Sequence, residues 1–282
     1  MLGEYMNLEK LVRQAIDGDK SALEGVITSV QDDIYYLALR MLANPDDAKD
    51  ATQEILIKII TKLSTFKFQS QFKTWTYRVA SNYLISEKKI LSKYPRLTFD
   101  VYKADLENDL QDPLDLKNLP EYSIILNELR ISCTIAMLLC LNPSHRIAYI
   151  LGDIYELEHQ EASDILSITK DNFRKQLSRA RKKVVSFTAN SCGLVNDCAK
   201  CSCENKITGA IGRQRVQSKH IRFANKNVKP YSEIKNIIRE TQNDLKTLAL
   251  QNSITRYKCP IELGDMIESL IAEGIGLEYK NS

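Results

Sequence analysis

Apolar side chains along this chain recur at the spacing of a helix face. From Ile34, the residues Leu37, Ala38 and Met41 mark one such face, and Asn44-Pro45-Asp46 then supplies a turn. The helix predicted next begins with Asp46, Asp47 and Asp50, whose charges suit the positive end of a helix dipole. Ala51, Ile55, Ile59 and Leu63 give it a buried stripe. The stretch 65–71 breaks the period, and Phe72, Trp75, Val79 and Tyr83 restore it until Pro95. Residues 1–95 read as one helical domain.

Between Asp100 and Glu128 the acids Asp100, Asp105, Glu107, Asp109, Asp112, Asp115, Glu121 and Glu128 face only Lys103 and Lys117, with Pro113 and Pro120 as punctuation. Weak periodicity with acidic charge predicts a linker over 96–121. Helices resume from Tyr122 to Leu141, where Cys133 and Cys140 fall on an apolar face and read as small core residues. Asn142-Pro143 is a good cap and first-turn pair for a helix through Tyr155. A short helix follows with Ala162, Ile165 and Leu166 inward. Thr169 can cap a last one whose inner stripe is Phe173, Leu177, Ala180 and Val184. Residues 122–188 thus have a helix-turn-helix layout.

Composition agrees with helices. The 282 residues are 44% hydrophobic and 27% charged, with only 10 Gly and 7 Pro to build turns, so the expected fold class is all-α. No apolar run approaches the ~20 residues that span a bilayer, and the N-terminus lacks a secretory pattern, so a cytoplasmic location without membrane insertion is expected. The net charge of +3 is small for a nucleic-acid binder. Attraction to phosphate must therefore come from clustering.

That clustering is found in the last helix of the layout, where Lys170, Arg174, Lys175, Arg179, Arg181, Lys182 and Lys183 stand against Asp171 alone. With its apolar stripe turned inward, Lys170, Asn172, Arg174, Lys175, Ser178 and Arg179 are candidates for reading base edges in a major groove, and the basic end beyond them for gripping phosphates. No nucleophile–base set or phosphate loop is present, which argues against an enzyme.

Residues 135–184, IAMLLCLNPSHRIAYILGDIYELEHQEASDILSITKDNFRKQLSRARKKV, resemble region 4 of extracytoplasmic-function sigma factors, which reads the −35 element of promoters. Residues 45–83, PDDAKDATQEILIKIITKLSTFKFQSQFKTWTYRVASNY, resemble region 2 of the same family, and the two blocks keep the family's order and separation. The resemblance implies a factor that binds core RNA polymerase and promoter DNA and starts transcription without a required cofactor. Asp50, Gln53, Glu54 and Lys58 would dock the polymerase β′ coiled coil. The segment FKFQSQFKTW and the helix after it would hold the melted −10 strand, with Phe66, Phe68, Phe72, Trp75 and Tyr77 as π-faces and charge from Lys73 and Arg78. Since Phe72, Trp75 and Val79 share a stripe, the contacts to DNA are assigned to Lys73, Tyr77, Arg78 and Asn82. The acidic linker would thread the nucleic-acid channel of the polymerase. Two departures stand out: Ala162-Ser163 replaces the usual Ile-Ala, and Ser167 replaces the turn Gly, although Ser tolerates positive φ less well.

Past Phe187 a minimal member of the family would end, so 189–282 is an extension. In it Cys192, Cys198, Cys201 and Cys203 fall within a dozen residues and form a candidate site for Zn²⁺ or another thiophilic metal ion. A thiol-redox switch and chance enrichment are the alternatives. Lys206 to Lys229 carries Arg213, Arg215, Lys219, Arg222 and Lys226 without an acid, and would serve DNA, the acidic linker or only solvent. YSEIKNIIRETQNDLKTLAL and IELGDMIESLIAEG read as two amphipathic helices of unknown partner. A one-component helix-turn-helix regulator and a metal- or thiol-responsive binding protein are the rival functions. Whether a separate anti-sigma protein exists is left open.

Overall fold

The computed structural model describes residues 2–86, 97–113, 116–217, 219–224 and 228–272. Its elements are helices, and the β feature among the described residues is one isolated bridge, Gln217 to His220. The chain divides into two compact units. One comprises 1–90, 160–169 and 256–282, the other 91–159 and 170–255.

In the first unit α1 (Leu2–Ile16), α2 (Lys20–Leu42), α3 (Pro45–Lys62) and α4 (Phe72–Ser86) pack around α2. Local chemistry sets their ends. Asp19 caps α2 by accepting from the Ala22 N–H (2.9 Å), and Ala43 closes it at φ 54° with its N–H on Leu39 O. Asn44 then caps α3 through the Asp46 N–H (2.9 Å), with Pro45 at the first helical position as expected. Ala51, Ile55, Ile59 and Leu63 are fully buried, as the stripe predicted. Of the face expected on α4, Phe72 is buried but Trp75, Val79 and Tyr83 are only half-buried, whereas Thr76, Ala80, Ser81 and Leu84 lie deepest and Tyr77 is buried beside them. Tyr77, Ala80 and Leu84 are also spaced as a helical face, and α4 is covered on more than one side.

The second unit opens with α5 (Phe99–Glu107), inside the segment expected to be a linker. Thr98 caps it on the Val101 N–H (3.3 Å), and Tyr102 and Leu106 give it a buried edge. Next come α6 (Tyr122–Ala136) and α7 (Pro143–Tyr149), which Asn142 caps and which runs into a π-helical turn over Ile150–Ile154. The chain then contributes 160–169 to the first unit: α8 (His159–Leu166) is followed there by Ser167, whose backbone takes φ 54°, so the turn keeps the left-handed geometry without glycine. The long helix α9 (Lys170–Ser191) buries Phe173, Leu177, Ala180 and Val184 as predicted, and continues the stripe through Phe187, Thr188 and Ser191.

Residues 189–255 of the extension belong to this second core. Their helices are α10 (Cys203–Gly212), α11 (Tyr231–Glu240) and α12 (Lys246–Asn252), and all three pack on α6. The first predicted amphipathic helix is thus two, separated where Thr241 adopts extended backbone. The second is α13 (Leu263–Ala272), which packs on α2 in the first unit. The stretch Tyr122–Cys140 is long and apolar enough by length and composition to cross a bilayer, unlike the expectation that no run came near. It is mostly buried, and three of its polar residues are bonded inside the fold. Asn127 donates to Lys229 O (2.9 Å), and Arg130 reaches Asn127 (3.0 Å) and Ser253 (2.6 Å). The Glu128 carboxylate accepts the backbone N–H groups of Arg222, Phe223 and Ala224 at 3.0, 2.8 and 2.7 Å.

Candidate functional site

On α3 the buried stripe leaves Asp50, Gln53 and Glu54 exposed on one side, with Lys58 half-buried and its ammonium 5.6 Å from the Tyr83 ring centroid. Three polar side chains within two turns of a rigidly packed helix form a face that a partner helix can meet without rearrangement.

The segment before α4 holds an aromatic cluster. Phe66 contacts Phe68, Phe72 and Trp75 with centroids 4.7, 5.4 and 5.6 Å apart, and the Arg13 guanidinium lies 3.9 Å over Phe68. Phe66 and Phe72 are buried, and Trp75 is half-buried. Among the four residues assigned to the −10 strand, Asn82 is exposed. Lys73 pairs with Asp33 (3.2 Å), a carboxylate also bound by Arg256 (2.9 Å), and Arg78 donates to Asp164 O at 3.1 and 2.8 Å. Tyr77 is buried, and burial followed by the charge of Asp33 pushes its phenol far above the ordinary value. Its ring is core in this conformation and offers no face to a base.

On α9 the side chains of Lys170, Asn172, Arg174, Lys175, Ser178 and Arg179 are all exposed. Arg174 touches His159 (3.4 Å) and Asp171 (3.9 Å), contacts weak enough to exchange for DNA. Arg181 differs, because it is bound to the buried Asp153 (2.9 Å) and so anchors the helix to the π-helical turn. Gly152 packs closely there: a Cβ would lie 2.7 Å from the Leu177 side chain, which would have to shift to admit it. Beside the far end of α9, a cleft of about 770 Å³ is lined by Lys103, Arg179, Lys182 and Lys183 among others, with His145 on its wall. Burial, then the charges of Lys183 and Arg179, lowers the His145 pKa, as a cationic environment requires.

The basic stretch of the extension meets the acidic segment. Arg215 and Arg213 bind Asp105, Arg213 also binds Asp109, and Lys200 lies 3.7 Å from Glu107. Buried Lys206 donates to the carbonyls of Asp105 and Asn108 (2.5 and 2.7 Å), and the Gln111 N–H to Asn205 O (2.8 Å). Burial alone would raise the Asp105 pKa, but the Arg215 hydrogen bond and the charges of Arg215, Lys206 and Arg213 outweigh it and hold the carboxyl below its usual value. Of the alternatives left open for this stretch, Arg213 and Arg215 serve the acidic segment.

The cysteines are arranged differently from their order in sequence. Cys198 is exposed, while Cys192 and Cys203 are half-buried and Cys201 is buried. The thiol that neighbours those three is Cys133, far off in sequence on α6. Burial, with Cys192 adding to it, pushes the Cys133 thiol up to about 11. Burial and then Cys133 and Cys192 push Cys201 to about 12, and Cys203 is raised by burial and then by Cys192 and Cys133. Among the described residues, no three His, Cys, Asp or Glu side chains are grouped as an ion requires. Cys133 was legible only as an apolar-face residue, because nothing in its local sequence announces neighbours some sixty to seventy positions away.

Comparison with known proteins matches residues 26–90 to the family described as Sigma-70 region 2 and residues 131–184 to Sigma-70, region 4. The chain is 30% identical over 180 residues to the ECF RNA polymerase sigma factor SigW of Bacillus subtilis, across 63% of this chain and 94% of that protein. It is 25% identical over 187 residues to the ECF RNA polymerase sigma-E factor of Escherichia coli, across 65% and 95% respectively. A solved structure of the sigma factor RpoE in complex with the anti-sigma factor NepR from Bartonella quintana aligns with TM-score 0.40 and 18% identity, over 58% of this chain and 94% of that one. The extension lies beyond both matched regions.

Proposed function

The chain belongs to the extracytoplasmic-function RNA polymerase sigma factors, and on that premise we propose how its own residues divide the work of starting transcription. As a sigma factor it binds core RNA polymerase and promoter DNA. It contributes binding energy and no catalytic step, and it works in the cytoplasm, where polymerase and DNA are.

The outward face of α3, with Asp50, Gln53, Glu54 and Lys58, docks the β′ coiled coil. Lys73, Arg78 and Asn82 serve the −10 strand. The Lys73 ammonium, itself partly exposed in its pair with Asp33, can exchange that partner for phosphate, whereas Tyr77 supports α4 from below. Lys170, Asn172, Arg174, Lys175, Ser178 and Arg179 read the −35 element, and Lys182 and Lys183 hold its backbone. The observation that carries the reading is the pairing of the two matched regions in one chain with a helix that buries its whole apolar stripe and leaves its six candidate readers exposed.

Run-off transcription with purified core enzyme on fragmented genomic DNA tests it. Discrete transcripts that depend on this protein are expected. A protein that binds DNA yet neither co-purifies with core nor directs initiation would instead be a one-component helix-turn-helix regulator. A pull-down from the native host addresses whether an anti-sigma protein is a further partner.

A further inference from the structure

We propose that the cleft beside the far end of α9 is a binding site for a nucleoside di- or triphosphate, separate from the base-reading positions of that helix. Three elements build it. Arg179, Lys182, Lys183, Ser186, Phe187 and Asn190 recur along α9 at helical spacing and so share a face. Helix α5 adds Phe99 and Lys103, one turn apart, and α7 adds His145. Packing holds these walls in place. The buried Phe187 ring meets Phe99 and Tyr102 at centroid distances of 5.1 and 5.6 Å, and the Tyr102 hydroxyl donates to Cys133 O (3.0 Å), which fixes α5 against α6.

Charge, size and unpaired polar atoms select the ligand. Lys103, Arg179, Lys182 and Lys183 stand in the lining against one acid, Asp100. Among the described residues no carboxylate pairs with Arg179, Lys182 or Lys183, and Lys103 has a loose contact with Glu107 at 3.9 Å. A phosphate ester carries about two negative charges at neutral pH, so four cations against one acid call for two or more phosphates. The volume of about 770 Å³ falls in the range of small-molecule sites. Arg179 and Ser191 line it from opposite ends of one helical stretch, about 18 Å apart along the axis, which suits an extended ligand. Ser191 is 2% exposed, and its Oγ and the Nδ1 of His145 are buried without a hydrogen-bond partner. Buried polar atoms left unpaired are costly, so this wall is poised for the polar edge of a ligand. Half-buried Phe99 adds an aromatic ring on which a base can stack. Inorganic phosphates would meet the cations and leave Phe99, His145 and Ser191 unused. The promoter backbone fits no better, because Ser191 lies about 14 Å along the axis beyond Lys182.

Calorimetric titration of the full-length protein, without DNA or polymerase, is expected to show saturable binding of ATP or GTP, with adenosine and pyrophosphate each at least about tenfold weaker. Lys103→Ala, at an exposed position outside the residues assigned to DNA, should weaken nucleotide binding at least about tenfold and leave affinity for a −35 duplex unchanged. Ser191→Ala should lower nucleotide affinity several-fold while keeping or raising the thermal midpoint of the free protein, since it removes an unpaired buried hydroxyl. A purely structural serine would move the midpoint alone. Absence of saturable ATP and GTP binding overturns the proposal. Pyrophosphate that binds as tightly as both nucleotides also overturns it, by making the cleft an unselective anion trap. So does lower duplex affinity in Lys103→Ala without any nucleotide binding, which would assign the cleft to the promoter backbone. The nucleotide titration uses no transcription, so failure here is distinct from failure of the sigma-factor reading.

Discussion

Arg215 grips Asp105 with both ends of its guanidinium: Nη2 lies 2.6 Å from Oδ1 and Nη1 bonds Oδ2. This bidentate pair ties the extension to a segment that read from sequence as a free linker. Asp105→Asn or Arg215→Ala should loosen α5 by on the order of 1–2 kcal/mol, discounted for the exposure of the arginine. Faster hydrogen exchange over 97–113 is the expected signal. The Asp105 pKa is depressed in the fold, so its contribution is complete above the ordinary carboxylate value of 3.8 and is lost as pH falls through the lower folded value. Protection of α5 in the wild type should therefore decline only in strong acid.

Glu128 is 2% exposed and receives three backbone N–H groups from the loop before α11. Glu128→Ala removes the acceptor for all three and should cost about 3 kcal/mol, because the buried N–H groups of Phe223 and Ala224 lose a charged acceptor. Chemical denaturation of the full chain measures it. A loss under 0.5 kcal/mol, the scale of an ordinary surface change, would mean that water replaces the carboxylate without penalty.

Ser167 holds φ 54° between α8 and α9. Ser167→Gly removes the steric cost of that conformation and should stabilise the turn by about 1 kcal/mol, net of the entropy of a more flexible unfolded chain. A rise in thermal midpoint with unchanged promoter affinity is expected.

Asp50→Lys combined with Glu54→Lys should weaken binding to core polymerase at least about tenfold while leaving helical content unchanged, since both side chains are exposed and the helix is held from its other side by Ile55 and Ile59. Unchanged affinity in a pull-down would remove this face from the interface.

Arg174→Ala or Lys175→Ala should cost about 1–3 kcal/mol at the cognate −35 sequence and flatten the preference among variants of it. Lys182→Ala should weaken all sequences alike and reduce the salt dependence of binding. Identical behaviour of the three across promoter variants would show that α9 grips backbone only.

Periodicity and caps were enough to find what is local. The α3 stripe, the Asn44-Pro45 and Asn142-Pro143 starts, and the inner line Phe173, Leu177, Ala180 and Val184 each depend on residues within a few turns of one another, and all appear as read. The exposed polar face of α9 follows from the same line, because a helix that buries one face must present the other. Tertiary packing decided the rest. Tyr77 went to the core because α4 is covered on more than one side, which a single-stripe reading cannot represent. The acidic segment became the clasped helix α5 because its partners, Lys206, Arg213 and Arg215, lie about a hundred residues downstream, and charge shows composition without showing who neutralises it. Cys133 lies near the extension for the same reason: α10 packs on α6, and no spacing along the chain encodes that contact.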